Sequence, residues 1–204
     1  MPNAENQSRT KRVESSLVRC LDGGSSPPIS TMQKWYAIRV TYGREMKFQT
    51  VLQEQGWDTF VPMTVRTVEK DGRKTSVTVP AVSNLCFVHA CQQDLYEFFR
   101  SLGEACPARF IWDKATRDPI VVPEKAMRDF ITVSRAMLDD TIYLTELSST
   151  LREGNLVRVL DGPFAGVEGK VVRIRRSRRI LVELPGMLAV AATFIPSDNL
   201  EIIG

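Results

Sequence analysis

Apolar residues in three segments of this chain recur every three or four positions, which is the spacing of an amphipathic helix. The segments run from Gly43 to about Gln55, from about Gln92 to Leu102, and onward from Pro123. Stripes of this kind are typical of helices that pack on a core, so we expect a structural role for them. The residues concerned are Phe48, Val51 and Leu52; Leu95, Phe98, Phe99 and Leu102; and Met127, Phe130, Ile131 and Met137.

Runs rich in β-branched and aromatic residues lie between these helices and predict strands. They cover residues 34–40, 58–63, 84–90 and 108–112. A further segment, residues 65–79, has β-branched arms on both sides of Asp-Gly, a dipeptide typical of hairpin turns. The order is strand, helix, strand, hairpin, strand, helix, strand, helix. This order predicts an α+β domain in which helices cover an antiparallel sheet.

After the third helix, the chain contains only short strand-like runs and turns. Several short strands in about fifty residues predict a small all-β, SH3-like barrel, because closure removes exposed sheet edges. We expect an α+β domain at 32–138, a linker at 139–152 and the barrel at 153–204. The predicted strands of the barrel are residues 155–160, 169–174, 179–184, 188–194 and 199–203.

Residues 1–31 are polar and end in a linker-like stretch of Gly, Ser and Pro. Two explanations are open. The segment is a flexible tail, or translation starts at Met32 and the segment is a mis-called extension. We assign it no chemistry in either case.

Composition narrows the class of protein. Apolar residues make up 43% of the 204 residues, which is enough for a core. No apolar run reaches the ~20 residues of a membrane span, and the N-terminus lacks the apolar centre of a secretion signal. We therefore expect a cytoplasmic protein without a membrane partner.

Candidate catalytic chemistry is scarce. Cys20, Cys86, Cys91 and Cys106 lack the spacing of a zinc site, and His89 is the one histidine. The chain has no phosphate-binding loop and no nucleophile motif. We expect a binding protein and not an enzyme, with no metal and no cofactor. The net charge is only +3, so contacts with nucleic acid would depend on local basic clusters.

Residues 158–174, RVLDGPFAGVEGKVVRI, carry the first family resemblance. Asp161-Gly162-Pro163 breaks one strand, and the chain returns through Gly169 into the next. Gly166 and Gly169 suit a close approach of two backbones. This pattern resembles the KOW motif.

The segment KWYAIRVTYGREMKFQTVLQEQGWDTFVPM resembles the start of the NusG N-terminal (NGN) domain. Pro80, Asn84, Phe87 and Val88 fit the family's next conserved run, from which Val82, Ser83 and Leu85 depart. PIVVPEKAMRDFI is similar to the family's last helix. Within the NusG/RfaH family, Asn84, the short linker and DKATRDPIVVPEKAM resemble the specialised UpxY-type antiterminators of capsule polysaccharide loci.

The resemblance implies a transcription elongation or antitermination factor associated with the bacterial nucleoid through RNA polymerase. It implies that the NGN domain seats on the clamp helices of the polymerase's largest subunit. The positions that correspond to the family's apolar patch are Trp35, Tyr36, Leu85, Phe87, Phe110 and Ile111. We expect a monomer.

The resemblance also implies contacts with the non-template DNA strand or nascent RNA. Arg44 and Lys47 match the positions of the DNA contact, and Lys70, Arg73 and Lys74 surround the hairpin turn. In the barrel we predict an RNA-binding tip made of Arg175, Arg176, Arg178 and Arg179. The partner-binding residues of the barrel would be Phe164 and Met187, with ribosomal protein S10 as a candidate partner. Pro185 replaces the expected aromatic residue, which argues against Rho.

Two other functions stay open. One is a general NusG-type elongation factor that couples to Rho or to the ribosome. The other is a ribosome-associated RNA-binding KOW protein. We predict a β-barrel in the free protein, since valines, isoleucines and three prolines disfavour the all-helical form known from some relatives.

Overall fold

The described part of the chain follows the predicted order of elements closely. A computed structural model describes residues 32–41, 43–70, 73–136, 141–144, 154–174, 177–184, 187–191 and 197–204. The α-helices are α1 (Glu45–Glu54), α2 (Gln92–Ser101) and α3 (Glu124–Ala136). The strands are β1 (Gln33–Val40), β2 (Asp58–Phe60), β3 (Met63–Lys70), β4 (Arg73–Pro80), β5 (Leu85–Cys91), β6 (Ala108–Phe110), β7 (Val121–Val122), β8 (Ile142–Leu144), β9 (Leu156–Val159), β10 (Glu168–Ile174), β11 (Ser177–Leu184), β12 (Leu188–Ala191) and β13 (Leu200–Ile202).

The first sheet has the strand order β2-β5-β1-β6, and β7 also pairs with β1. All of these pairings are antiparallel. Because side chains alternate across a strand, neighbouring residues of β1 point to opposite sides of the sheet. Tyr36 and Ile38 lie in one apolar cluster, whereas Trp35 and Ala37 lie in another. The centre of this sheet is therefore buried on both sides.

Helices α1 and α2 cover one side, which we call the helical face (Tyr36, Ile38, Val40, Cys86 and Val88). Phe48 and Leu52 of α1 and Leu95 of α2 are buried against it. The predicted stripes of these two helices are thus confirmed as core positions. Each helix covers a face built from strands close to it along the chain.

The opposite side, which we call the shared face (Trp35, Ala37, Leu85 and Phe87), is covered differently. Helix α3 packs on it through Met127, Phe130 and Val133. The same apolar cluster continues into the C-terminal domain, where α3 contacts β11 and β12. The cluster's members from that domain are Val157, Val159, Phe164, Val167, Ile180, Val182, Leu184, Leu188 and Val190.

Strands β3 and β4 form a separate two-stranded ribbon. Their register pairs Met63 with Pro80 at one end and Lys70 with Arg73 at the other. The two strands of the predicted hairpin are therefore confirmed, and its Asp71-Gly72 turn lies outside the described residues. Exposed Val68 and Val77 lie along the ribbon.

The described residues between 154 and 204 form the predicted all-β domain, which we call the barrel. Its strand order is β13-β9-β10-β11-β12-β8, and all of the pairings are antiparallel. Gly162 and Gly166 have φ angles of +87° and +83°, which glycine adopts without strain. A Cβ on Gly169 would lie only 2.6 Å from the carbonyl oxygen of Leu181. The predicted close approach of two backbones is therefore found at Gly169. A Cβ on Gly166 would meet no described atom within 4 Å, so its positive φ and not a close approach accounts for that glycine.

The structure corrects two details of the sequence prediction. The strand predicted at 58–63 ends at Phe60, and Met63 already belongs to the hairpin, because Pro62 has no N–H for the ladder. The linker predicted at 139–152 contains β8, which pairs with β12 and adds a strand to the barrel. Met137 of the third stripe lies outside the described residues.

Candidate functional site

The six apolar residues predicted to bind the polymerase do not share one surface. Trp35, Leu85 and Phe87 lie on the shared face, and half-buried Ile111 packs against the same cluster. Tyr36 and Phe110 lie on the helical face, with their rings 5.6 Å apart in an edge-to-face contact. The residues that form a common surface are therefore Trp35, Leu85, Phe87 and Ile111.

That common surface lies beneath the barrel and α3. Phe130 of α3 is fully buried at the junction, and its ring meets those of Phe87, Phe60 and Tyr143. Tyr143 comes from β8, which is a strand of the barrel sheet. Trp35 keeps 8% of its surface exposed and Phe87 keeps none. The same apolar side chains thus serve the first domain and its contact with the barrel.

Polar groups also cross the domain junction. The Lys125 ammonium of α3 donates to the carbonyl oxygen of Gly166 at 2.8 Å and pairs with the buried carboxylate of Asp129. Asp129 Oδ2 accepts the backbone N–H of Glu168 at 3.1 Å. Glu168 Oε1 lies 3.9 Å from Lys125 Nζ. The turn of the KOW-like segment is therefore bound to the last helix of the first domain.

The side chain of Tyr143 makes a further polar contact between the domains. The Tyr143 hydroxyl donates to the backbone carbonyl oxygen of Met63 at 3.2 Å. Burial raises the pKa of Tyr143 above its ordinary value of 10.0. The phenol therefore stays protonated, and able to donate, over the whole physiological pH range.

One end of the shared face stays open as a crevice of about 380 Å3. Asn84 sits in its wall with a φ of +62°, a conformation that asparagine tolerates better than most residues. The buried carboxylate of Glu45 accepts the Asn84 N–H and holds this turn. The lining residues are Arg39, Val82, Ser83, Asn84, Leu85, Ile111, Ile120, Met187 and Leu188.

The first predicted nucleic-acid contact lies on the helical side of the molecule. Arg44 and Lys47 are exposed at the start of α1. They border a groove of about 230 Å3 whose floor is Phe48, Val51, Leu102, Ala105 and Pro107. The structure therefore brings these two cations together beside an apolar floor.

The hairpin and the barrel carry the other predicted cations. Arg73 and Lys74 are exposed, and Lys74 lies opposite Glu69 in the ribbon. Lys70 pairs with Arg73 in the backbone register, but its side chain is outside what the structure describes.

In the barrel, Arg178 is exposed opposite Arg173, and Arg179 is half-buried opposite Val172. Arg175 and Arg176 lie outside the described residues. The predicted partner-binding residues are covered in this arrangement, since Phe164 is buried and Met187 packs on the domain junction.

Sequence reasoning missed two features. Trp112 is 53% exposed, although tryptophan usually lies in a core. Arg39 and Arg109 face each other directly across β1 and β6. Only the strand register reveals this pair, because the two residues lie far apart in the sequence.

Comparison with protein families agrees with the geometry. Residues 33–131 match the family model described as "Transcription termination factor nusG", and residues 153–183 match the KOW motif. The chain has the two domains of a NusG-like transcription factor. Comparison with curated proteins found no match. A solved structure titled "Domain interaction in Thermotoga maritima NusG" is 16% identical to the NusG-like chain, with a TM-score of 0.40; the match covers 84% of this chain and 98% of that one.

Among the residues described, no three or more His, Cys, Asp or Glu side chains come together in a way that could hold a metal ion. No helix in the described ranges is long and apolar enough to cross a membrane.

Proposed function

We propose that this NusG-like protein is a specialised transcription antitermination and elongation factor that binds the clamp helices of the RNA polymerase largest subunit. NusG-family proteins bind RNA polymerase. The observation that supports our choice of surface is the covering of the shared face. Leu85 and Ile111 line a crevice together with Met187 and Leu188 of the barrel. Trp35 and Phe87 belong to an apolar cluster that includes side chains of α3 and of the barrel. The edge of the face at Leu85 and Ile111 would be exposed when the barrel moves away, while α3 stays packed on Phe87.

Such a face is well suited to bind an apolar helix tip. Burying apolar surface yields about 25 cal/mol per Å2, so a few aromatic and aliphatic side chains supply a useful driving force. The barrel and the polymerase would use the same side chains, so they exclude each other. The protein therefore binds polymerase in an open form, in which Lys125 and Asp129 face solvent.

Nucleic acid would be bound by the other side of the first domain. Arg44 and Lys47 lie on the side of α1 and α2, away from the shared face. We propose that they contact the non-template DNA strand while the shared face holds polymerase. Arg73, Lys74 and Lys70 of the hairpin would add phosphate contacts. Phosphate contacts of this kind give affinity that falls as the salt concentration rises.

The barrel would act after it leaves the first domain. Phe164 and Met187 would then be free to bind ribosomal protein S10. The arginines around Ser177, including Arg178 and Arg179, would contact nascent RNA. The opposed Arg173 and Arg178 support this proposal, because a like-charged pair favours binding of a polyanion.

We assign the protein to the capsule-polysaccharide specialists on the strength of Asn84, the segment 113–127 and the altered Pro185 loop. The alternative is a general elongation factor. Occupancy along the genome separates the two proposals, because a specialist occupies a few operons and a general factor occupies nearly all. Occupancy on most transcribed operons would contradict the specialist assignment.

The polymerase contact is tested by two charged substitutions. Ile111→Asp places a carboxylate on the shared face, and Val121→Asp places one at an exposed site at the sheet's edge, opposite Tyr36. We expect Ile111→Asp to weaken binding to purified elongation complexes at least about tenfold, which is about 1.4 kcal/mol. The control should stay within about twofold of the wild type. Equal binding by both variants, with unchanged melting temperatures, would contradict the proposed surface.

A further inference from the structure

Two arginines lie side by side at the open end of the shared face. The register of β1 and β6 places Arg39 directly opposite Arg109. Both residues are exposed, and alternation puts them on the same side of the sheet as Ala37 and Ile111. Neither makes a salt bridge or a side-chain hydrogen bond within the ranges that the structure describes. Like charges directly opposite each other destabilise an antiparallel pair, so this arrangement is costly unless a ligand uses it.

The surroundings of the pair indicate the chemistry of that ligand. Arg39 borders the crevice described above, whose walls include Leu85, Ile111 and Ile120. Ser83 and Asn84 add polar groups, and the Glu45 carboxylate fixes the Asn84 backbone. The walls are aliphatic, and nucleic-acid bases prefer aromatic platforms. Guanidinium groups bind carboxylates through paired hydrogen bonds, and an apolar side chain fits the adjoining space.

We propose that Arg39 and Arg109 bind acidic side chains of the protein partner that occupies the shared face. The partner segment would carry an apolar side chain for the crevice and at least one neighbouring carboxylate. This inference rests on the proposed function and specifies the chemistry of the polymerase surface. Charge complementarity selects an acidic segment, because Arg39 is the one charged residue among those that line the crevice.

The pair also determines the order of binding. Arg39 and Arg109 are exposed in the docked arrangement, in which Met187 and Leu188 of the barrel lie beside Leu85 and Ile111. An acidic segment therefore reaches the arginines before the barrel leaves. Contacts between opposite charges act mainly on the rate of association, and salt screens them.

The test uses the full chain and purified RNA polymerase elongation complexes. The variant Arg39→Glu/Arg109→Glu inverts the charge of the pair, and Arg100→Glu/Lys114→Glu is a control with the same change in net charge at exposed sites. We expect the first variant to associate about tenfold more slowly than the wild type at low salt, and the control to stay within about twofold. Raising the salt from about 0.05 to 0.3 M should slow the wild type far more than the first variant.

The outcomes separate this inference from the proposed function. Loss of binding by Ile111→Asp with unchanged association of Arg39→Glu/Arg109→Glu would overturn the arginine proposal and leave the polymerase surface in place. Wild-type protein that fails to bind elongation complexes would overturn both. If the variant lost affinity for the nucleic-acid scaffold without polymerase, the arginines would be phosphate contacts and the proposal would be wrong. Equal melting temperatures of wild type and variants exclude unfolding as the cause.

Discussion

The two faces of the first sheet are equally apolar but are covered in different ways. The helical face is buried by α1 and α2, whose side chains Phe48, Leu52 and Leu95 form a dry cluster with the strands. The shared face is buried by α3 and by a second domain, through contacts that include Lys125 and Asp129. Charged groups at a junction tolerate separation, because water replaces their partners. We propose that the helical face is permanent core and that the shared face contains a surface that opens.

The largest expected effect is a loss of stability when a buried side chain is removed from the helical face. Leu52→Ala removes a fully buried side chain from α1 and should lower the free energy of unfolding by about 2–5 kcal/mol. The barrel should stay docked in the folded fraction, since Leu52 does not belong to the apolar cluster of the shared face. Thermal unfolding measures the first effect, and amide chemical shifts of residues 187–191 measure the second. Release of the barrel by this variant would contradict the separation of the two faces.

Breaking the polar contact at the domain junction should release the barrel and leave the first domain folded. Asp129→Ala leaves the Glu168 N–H without its acceptor and Lys125 without its nearer carboxylate, which costs about 1–3 kcal/mol. We expect the open form to be more populated while the first domain stays folded. Small-angle scattering should show a larger radius of gyration.

Alkylation of the thiols supplies the control for that experiment. Cys86 is fully buried on the helical face, where burial and the Glu45 carboxylate raise its pKa to about 12. Its reaction rate with iodoacetamide should be the same in wild type and Asp129→Ala. Faster alkylation would mean that the variant loosens the whole domain and not the junction alone.

The sequence predicts the local features of both faces but not how they are used. The hairpin is predictable because Asp-Gly is typical of hairpin turns. The close approach of two backbones at Gly169 is predictable because glycine lacks the Cβ that would collide with Leu181. The assignment of Tyr36 and Phe110 to the other face requires the register of β1, which periodicity alone does not set. Strand β8 is missed because Ile142-Tyr143-Leu144 is a short apolar run between polar residues. The polar contacts between the domains join residues 39 to 80 positions apart, which local patterns do not encode.

A weaker effect should come from pH. The raised pKa of Tyr143 means that the docked form binds the phenolic proton more tightly than the open form. Its contribution to docking is fully present below pH 10 and is lost as the pH rises through the raised pKa of the docked state. Above about pH 10 the docked population should fall more in the wild type than in Tyr143→Phe. Identical pH profiles would show that the Tyr143 hydroxyl does not contribute to docking.

The smallest expected effect concerns the arginine pair. Arg109→Thr removes the like-charge contact with Arg39 and introduces a residue that favours strands. The free energy of unfolding should rise by about 0.2–1 kcal/mol, while association with elongation complexes slows. Urea denaturation measures the first quantity. A loss of stability would show that Arg109 has a structural role.

The most direct test of the proposed polymerase-binding face uses a photocrosslinker at its half-buried edge. Ile111→p-benzoylphenylalanine places the reactive group beside Met187 and Leu188 in the free protein. We predict a crosslink within the chain to the barrel before binding. In elongation complexes we predict loss of that crosslink and a new one to the largest subunit of the polymerase. Persistence of the internal crosslink in bound complexes, without any to the largest subunit, would contradict the assignment of this face.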